Sequence, residues 1–223
     1  MCGRFTLTAD PAEILDAFPW LRVPHQMTPA YNIAPTQSIA VIPNDGKNSL
    51  DFFIWGLIPS WAKDQKIGSR MINARSETLA EKPSFRTAYK RRRCLVLADG
   101  FFEWQKQPQK KGKIPFYITM KEKRPFAFAG LWETWHSPDG AEIKSATIIT
   151  TSPNNLIAKV HNRMPVILPI DSHDTWLSLE EKSNQELQPL LKPYPETEMQ
   201  MYPVSTYVNS PANNTVETIA PLS

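Results

Sequence analysis

The sequence predicts an α+β fold: a mainly antiparallel, barrel-like β-sheet core with several short flanking helices. Three observations predict it. β-rich runs follow one another at 94–98, 101–104, 114–120, 127–132 and 144–151 without helices between them. The helix signals are short, and several carry their own cap or breaker. The 21 prolines are dispersed, so they punctuate a folded chain and mark no linker. At 223 residues and 41% apolar composition, the chain is long and apolar enough for one substantial core, and a single domain over 1–223 is expected.

The elements follow in order. Phe5-Thr6-Leu7 reads as a short strand. Asp10-Pro11-Ala12-Glu13 starts a helix, with Asp10 as N-cap, Pro11 in the first turn and Glu13 three residues after the cap. Ile14, Leu15 and Phe18 give it an apolar stripe, and Pro19 stops it. Tyr31-Asn32-Ile33-Ala34-Pro35 reads as an extended loop, because Pro35 keeps Ala34 out of the helical region. Two strands at 38–42 and 51–55 flank the turn signal Asn44-Asp45-Gly46. Trp55-Gly56-Leu57-Ile58-Pro59-Ser60-Trp61 is a rigid aromatic loop, and 71–75 crosses the interior. A short helix is expected over 76–82, and another follows with Phe85 and Tyr89 one turn apart. Strands at 94–98 and 101–104 are joined by Asp99-Gly100. Three more strands lead to a helix capped by Asn154 or Asn155 and running through Val160, then to a strand at 166–168. The remainder is helical at 171–177 and 183–191, with a last strand at 199–204. The total is about eight strands and five helices.

The bulk numbers exclude several classes. No run of about 18 apolar residues predicts a membrane span, and no charged segment followed by an apolar stretch predicts a secretory signal. The only cysteines are Cys2 and Cys94, so a reduced, cytoplasmic location is expected, with nucleoid-associated or phage-encoded variants of it open. The four histidines are scattered, so neither a metal site nor a cofactor is expected. The net charge of +3 is compatible with an anionic partner. The basic residues concentrate in Lys90-Arg91-Arg92-Arg93 and in Lys106, Lys110, Lys111 and Lys113. Both clusters read as solvated surface unless an anion reaches them. Cys94, inside an apolar strand, reads as an inert core residue.

Cys2 directly follows Met1, and cysteine is small enough for methionine aminopeptidase to remove Met1. The product is a 1,2-aminothiol whose amine titrates near ~8 and thiol near ~8.5, so both are partly nucleophilic at neutral pH. Such a terminus has two uses. It attacks acyl carbons in N-terminal-nucleophile hydrolases, or it condenses with an aldehyde to an imine that the thiol closes into a thiazolidine. The plain alternative is an ordinary small residue beside a start codon. Glu103, between aromatics on a strand, is either solvent-facing or held in a site with a raised pKa. Trp55, Trp104 and Trp132 read as packing residues, whereas Trp61 sits in an open, proline-flanked loop.

Six motifs carry a resemblance. Met1-Cys2-Gly3-Arg4-Phe5, Tyr31-Asn32-Ile33-Ala34-Pro35, Trp55-Gly56-Leu57-Ile58-Pro59-Ser60-Trp61, Ile72-Asn73-Ala74-Arg75-Ser76-Glu77-Thr78, Ala98-Asp99-Gly100-Phe101-Phe102-Glu103-Trp104 and His161-Asn162-Arg163-Met164-Pro165 stand in matching order and spacing. Together they closely resemble the SRAP family, the SOS-response-associated peptidase or abasic-site processing proteins, from Cys2 to about Leu168. The resemblance implies a single SRAP domain that binds single-stranded DNA at an abasic site. It also implies that Cys2, freed of Met1, forms a thiazolidine crosslink with the opened sugar. Cys2, Asn73, Glu103 and His161 are then the acting residues, with Glu103 as acid/base and His161 as donor to the departing hydroxyl. Gly3, Arg4, Asn32, Pro35, Trp61, Arg75, Trp104 and Arg163 become DNA-facing or supporting positions. In their plainer roles, Glu103 pairs with Arg75 and His161 caps the helix before it. Asn162 and Met164 stand where other members carry charge, which implies a weaker phosphate grip there. The expected partner is single-stranded DNA with abasic sites, with replication-fork proteins beside it, no membrane, and a monomer. A self-removing peptidase activity and lyase-type chemistry belong to the same expectation.

Two other function classes compete. An N-terminal cysteine amidohydrolase also begins Met-Cys-Gly but continues with an apolar strand, where this chain has Arg4. A non-enzymatic reader of single-stranded DNA would use Trp61 and the arginines without the thiol.

Overall fold

The computed structural model describes residues 2–107 and 112–222. In chain order its strands and helices are β1 (Phe5–Leu7), α1 (Pro11–Ala17), β2 (Ala30–Ile33), β3 (Ser38–Pro43), β4 (Asp51–Trp55), β5 (Asn73–Arg75), α2 (Arg86–Arg91), β6 (Arg93–Ala98), β7 (Gly100–Lys106), β8 (Lys113–Met120), β9 (Phe126–His136), β10 (Glu142–Thr151), α3 (Asn155–Ala158), β11 (Met164–Pro165), α4 (His173–Leu177), α5 (Asn184–Leu187) and β12 (Met199–Pro203). This is an α+β fold. Met1 and residues 108–111, including Lys110 and Lys111 of the second basic cluster, lie outside the described residues.

Five strands close on themselves. β10 pairs with β4 in parallel; β4–β3, β3–β6, β6–β9 and β9–β10 are antiparallel and complete the ring. Closure leaves those strands no open edge. β6 is buried at every position, since one face fills the barrel and the other is covered by neighbours such as Trp176 of α4. Where β10 runs past β4 it takes up β5 in parallel and β11 antiparallel.

A second, wholly antiparallel sheet, in the order β12-β8-β7-β1-β2, lies against the barrel. Phe5 and Phe101 are cross-strand partners on its inner face. Their rings meet barrel rings edge-on, Phe5 to Trp55 at 5.0 Å and Phe101 to Phe128 at 5.9 Å. The outer face carries Phe102 and Tyr117 into a small core with Val204 and Val208 of the C-terminal segment. Side chains alternate along a strand, so Glu103 follows Phe101 to the barrel side.

The helix start at Asp10 is as the sequence predicts: Asp10 accepts from the Ala12 and Glu13 N–H groups and Glu13 returns a bond to Asp10, a complete capping box. Other expectations change. Residues 31–33 belong to β2, because β1 pairs with them over a separation no local pattern reveals. Residues 76–82 give only a 3-10 turn at Ser76–Thr78 with no side-chain cap, and Pro83 disfavours helix at Lys82. The strand expected at 166–168 is replaced by β11 just before it. The chain then continues through an isolated antiparallel bridge of Ile167 with Phe128, made by the Ala129 N–H on the Val166 carbonyl (2.8 Å) and the Leu168 N–H on the Ala127 carbonyl (3.0 Å), and through the Val166 N–H on the Ile149 carbonyl (2.9 Å).

Lys90 and Arg91 are exposed, as a solvated helix end should be, but the solvated reading is corrected for Arg92 and Arg93. Arg91 reaches Glu181 at 2.8 Å and Arg92 reaches Glu133 at 2.6 Å. Arg93 is fully buried and donates to the carbonyls of Trp176 (2.7 Å), Ser178 (2.6 Å), Glu180 (3.1 Å), Tyr89 (3.3 Å) and Lys90. A fork of five donors suits these converging carbonyls, and an ammonium does not. Arg93→Ala is expected to cost about 3–5 kcal/mol in urea unfolding, because it strands several buried acceptors. Arg93→Lys recovers only part of that.

Candidate active site

The N-terminal segment is fastened by Asp99. Its carboxylate accepts from the Thr6 hydroxyl, from the Thr8 hydroxyl at 2.7 Å and from the Ala9 N–H at 2.9 Å, and its own N–H donates to the Thr6 carbonyl at 3.0 Å. Gly100 follows because any Cβ there would collide with the Tyr117 ring and hydroxyl. The Phe102 N–H donates to the Arg4 carbonyl at 2.9 Å. Continued outward, this antiparallel register brings residues 2 and 3 level with Glu103.

Three further groups meet Cys2 there. Asn73, first residue of β5, is placed by the parallel pairing of β5 with β10. Its amide nitrogen donates to the Cys2 carbonyl at 2.7 Å, while its oxygen is buried without a hydrogen-bond partner among the described residues. His161 follows α3, its N–H donating to the Ile157 carbonyl at 2.8 Å. The Arg163 N–H donates to His161 Nδ1 at 3.0 Å. The Arg163 carbonyl lies 3.2 Å from the same Nδ1, so the tautomer depends on which of the two backbone groups that nitrogen pairs with, and Nε2 lies 3.9 Å from Glu103 Oε2. That distance is proximity and not a hydrogen bond. The pairing of Glu103 with Arg75 is not formed: Arg75 is exposed, and His161 lies beside Glu103.

The electrostatics follow from burial. Glu103 is 2% exposed, and desolvation pushes its carboxyl up to about 7. Desolvation also lowers His161 below the ordinary histidine value, so the ring is neutral at pH 7. Cys2 is fully buried, and burial, followed by the charge of Glu103, pushes its thiol well above the usual range. The expectation of a standing thiolate fraction at neutral pH is thus corrected; the thiol is held protonated. A neutral imidazole is a weaker proton donor than the role expected of His161 requires.

The DNA-facing expectations separate by exposure. Trp61 is 59% exposed and borders a cavity of about 640 Å³ with Lys63, Lys66 and Arg70. Arg75 is exposed, and Gly3 and Pro35 are partly so. Asn32 is buried and bonds the carbonyls of Val208 (3.2 Å), Ser210 (2.9 Å) and Asn213 (2.6 Å). Arg4 donates to Asn32 at 2.6 Å and to the Val208 carbonyl at 2.8 Å, and lies over the Trp104 ring at 5.8 Å. Trp104 donates to Asn209 at 2.8 Å. Arg4, Asn32 and Trp104 are therefore a brace tying the terminal segment to the C-terminal loop. Arg163 is likewise occupied, by both carboxylate oxygens of Glu77 (2.6 and 2.9 Å) and the Thr150 carbonyl (2.6 Å). Among the described residues no three His, Cys, Asp or Glu side chains gather as a metal site, and no helix is long and apolar enough to cross a membrane. The Asp99–Thr6–Tyr117 lacing is what the sequence reading missed; its one local signal was the Asp-Gly turn.

Fold and site define a class: a β-barrel with a flanking sheet that holds a cysteine near the chain start against a buried carboxyl and a neutral imidazole. Residues 1–211 match the family described as SOS response associated peptidase (SRAP), and the chain belongs to that family. It is similar to the abasic site processing protein YoqW of Bacillus subtilis, 48% identical over 222 residues that cover 98% of this chain and 99% of the relative. It is also similar to the mouse abasic site processing protein HMCES, 32% identical over 271 residues, covering 99% of this chain and 76% of the relative. A crystal structure of a Bacteroides thetaiotaomicron protein superposes with a TM-score of 0.89 at 28% identity, covering 100% of both chains.

Proposed function

We propose that this protein captures abasic sites in single-stranded DNA as a covalent thiazolidine on Cys2 after Met1 is removed. The observation that carries this reading is the meeting of buried Cys2 and Glu103 with half-buried Asn73 and His161, with Asn73 on the Cys2 carbonyl at 2.7 Å. Relatives named as abasic site processing proteins support it.

The chemistry follows from the groups present. The abasic sugar is a hemiacetal, and opening it moves a proton from the C1′ hydroxyl to O4′. A carboxyl with a pKa of about 7 is both a competent donor and a competent acceptor near neutrality. The Cys2 amine adds to C1′, and the carbinolamine loses its hydroxyl as water, with Glu103 giving the proton. The thiol then adds across the C=N bond. Sulfur bonds C1′, and the thiol proton ends on the ring nitrogen, relayed by carboxylate or imidazole. One water leaves overall. Asn73 holds the terminus by its carbonyl, and its unused amide oxygen is an acceptor for the amine. Trp61 and Arg75 offer the strand a stacking surface and a charge.

The test is a denaturing gel of the protein mixed with glycosylase-treated, uracil-containing single strands, followed by intact-mass analysis. A heat-stable band at the summed mass less one water is the expected result. Wild-type protein that forms no band, or that instead hydrolyses glutamine, removes this reading.

A further inference from the structure

Beside the carboxyl–imidazole pair opens a groove that the chemistry above leaves unused. It is a cavity of about 620 Å³ at the ends of β7 and β8, bordered by Trp104, Gln105, Lys106, Lys113, Lys159 and His161 among others. None of its described lining residues is acidic, and none of the three lysines has a carboxylate partner among the described residues. In the basic hollow at α2, by contrast, Lys90 and Arg91 share the Glu181 carboxylate.

The placement of these lysines is unfavourable in the protein alone. Lys106 and Lys113 are direct cross-strand partners, and like charges so placed repel. Lys159 sits on the opposite wall, and the two walls are tied where the Gln105 amide donates to the Lys159 carbonyl at 2.8 Å. The groove is thus a braced cleft whose lysines form no ion pair among the described residues. It is close to the reacting groups, since the Lys113 charge is felt at both Glu103 and His161.

We infer that this groove is a phosphate track for single-stranded DNA, holding backbone phosphate between Lys113 and Lys159 next to the captured sugar. An anion there relieves the Lys106–Lys113 repulsion and satisfies the unpaired wall lysine together. The place of the track relative to the sugar rests on the crosslinking reading; strand binding in the groove does not. Lys106 and Lys113 are exposed, as the solvated reading expects, and the inference adds an anion to that surface.

The test measures non-covalent binding of a fluorescein-labelled, unmodified oligothymidylate by anisotropy across a salt series. Wild type is compared with Lys113→Gln/Lys159→Gln and with Lys121→Gln/Lys123→Gln, which removes equal charge from an exposed turn elsewhere. Losing two phosphate contacts makes the log–log salt slope shallower by about 1.4, a roughly sevenfold smaller loss of affinity between 50 and 200 mM salt. The groove variant is expected to show that change, the turn variant to follow wild type, and Lys113→Arg/Lys159→Arg to restore the slope. A groove variant indistinguishable from the turn variant overturns the inference, whether or not abasic adducts form. A changed slope without any abasic adduct in wild type leaves the track standing and removes the crosslinking reading.

Discussion

Cys2→Ala is expected to abolish the heat-stable adduct completely while leaving an adduct that borohydride can trap. Alanine at the second position still permits Met1 removal, so the amine remains and forms an imine with the opened sugar. Without sulfur the imine has nothing to close it, and it hydrolyses on denaturation. Reduction before denaturation fixes it as a secondary amine. The pair of outcomes separates the two nucleophiles: loss of both bands means the variant no longer binds or opens the sugar, and retention of the unreduced band removes the thiol from the mechanism. Because Cys2 is fully buried in the main core, the melting temperature of the variant must be recorded beside the gel.

Glu103→Gln has effects of opposite sign on rate and stability. The amide neither donates nor accepts a proton, so crosslinking is expected to slow about 10²–10⁴-fold. In wild type the rate rises with pH as the Cys2 amine loses its proton and falls as Glu103 loses its own, through about 7. The Gln variant keeps only the rising side. Stability runs the other way. The folded-state pKa of Glu103 is raised from 4.5 to about 7, so between those values the folded protein holds a proton that the unfolded chain has released. Stability therefore falls as pH climbs through that window, and above it the ionised carboxylate costs about 3 kcal/mol. Glu103→Gln is expected to melt roughly 6–10 °C above wild type at pH 8, with the gap closing toward pH 4.5. A variant equally slow but no more stable at pH 8 means the carboxyl is not desolvated as its burial indicates.

Much of the fold was legible where the signal is local. Asp10 and Glu13 announce a capping box within four residues, and the Asp99-Gly100 junction marks the passage between two strands. β2 and β5 were not legible as strands because their partners are distant in the chain: Phe5 meets Ile33, and Asn73 meets Ile148. The same limit governs the site. Arg4 and Arg163 read as free phosphate donors because Asn32 and Glu77, which occupy them, lie far off in sequence. Arg93 sits in a run of four cations, and nothing in that run distinguishes the one that folds inward onto the carbonyls around α4. Glu103, between aromatics, left a solvent-facing and a site-held reading open, and only its burial in the fold decides for the second.

The pairing of Phe5 with Phe101 sets a timetable for maturation. The first residues leave the ribosome long before the strand that will receive them has been made. At ordinary elongation speeds the gap is roughly 5–20 s. Throughout that interval only β2, made earlier, is there to pair with the nascent end. Once β7 arrives, Asp99 laces residues 6–9 in place, so the Met1 removal proposed above is expected to be easier before that strand is made than after it.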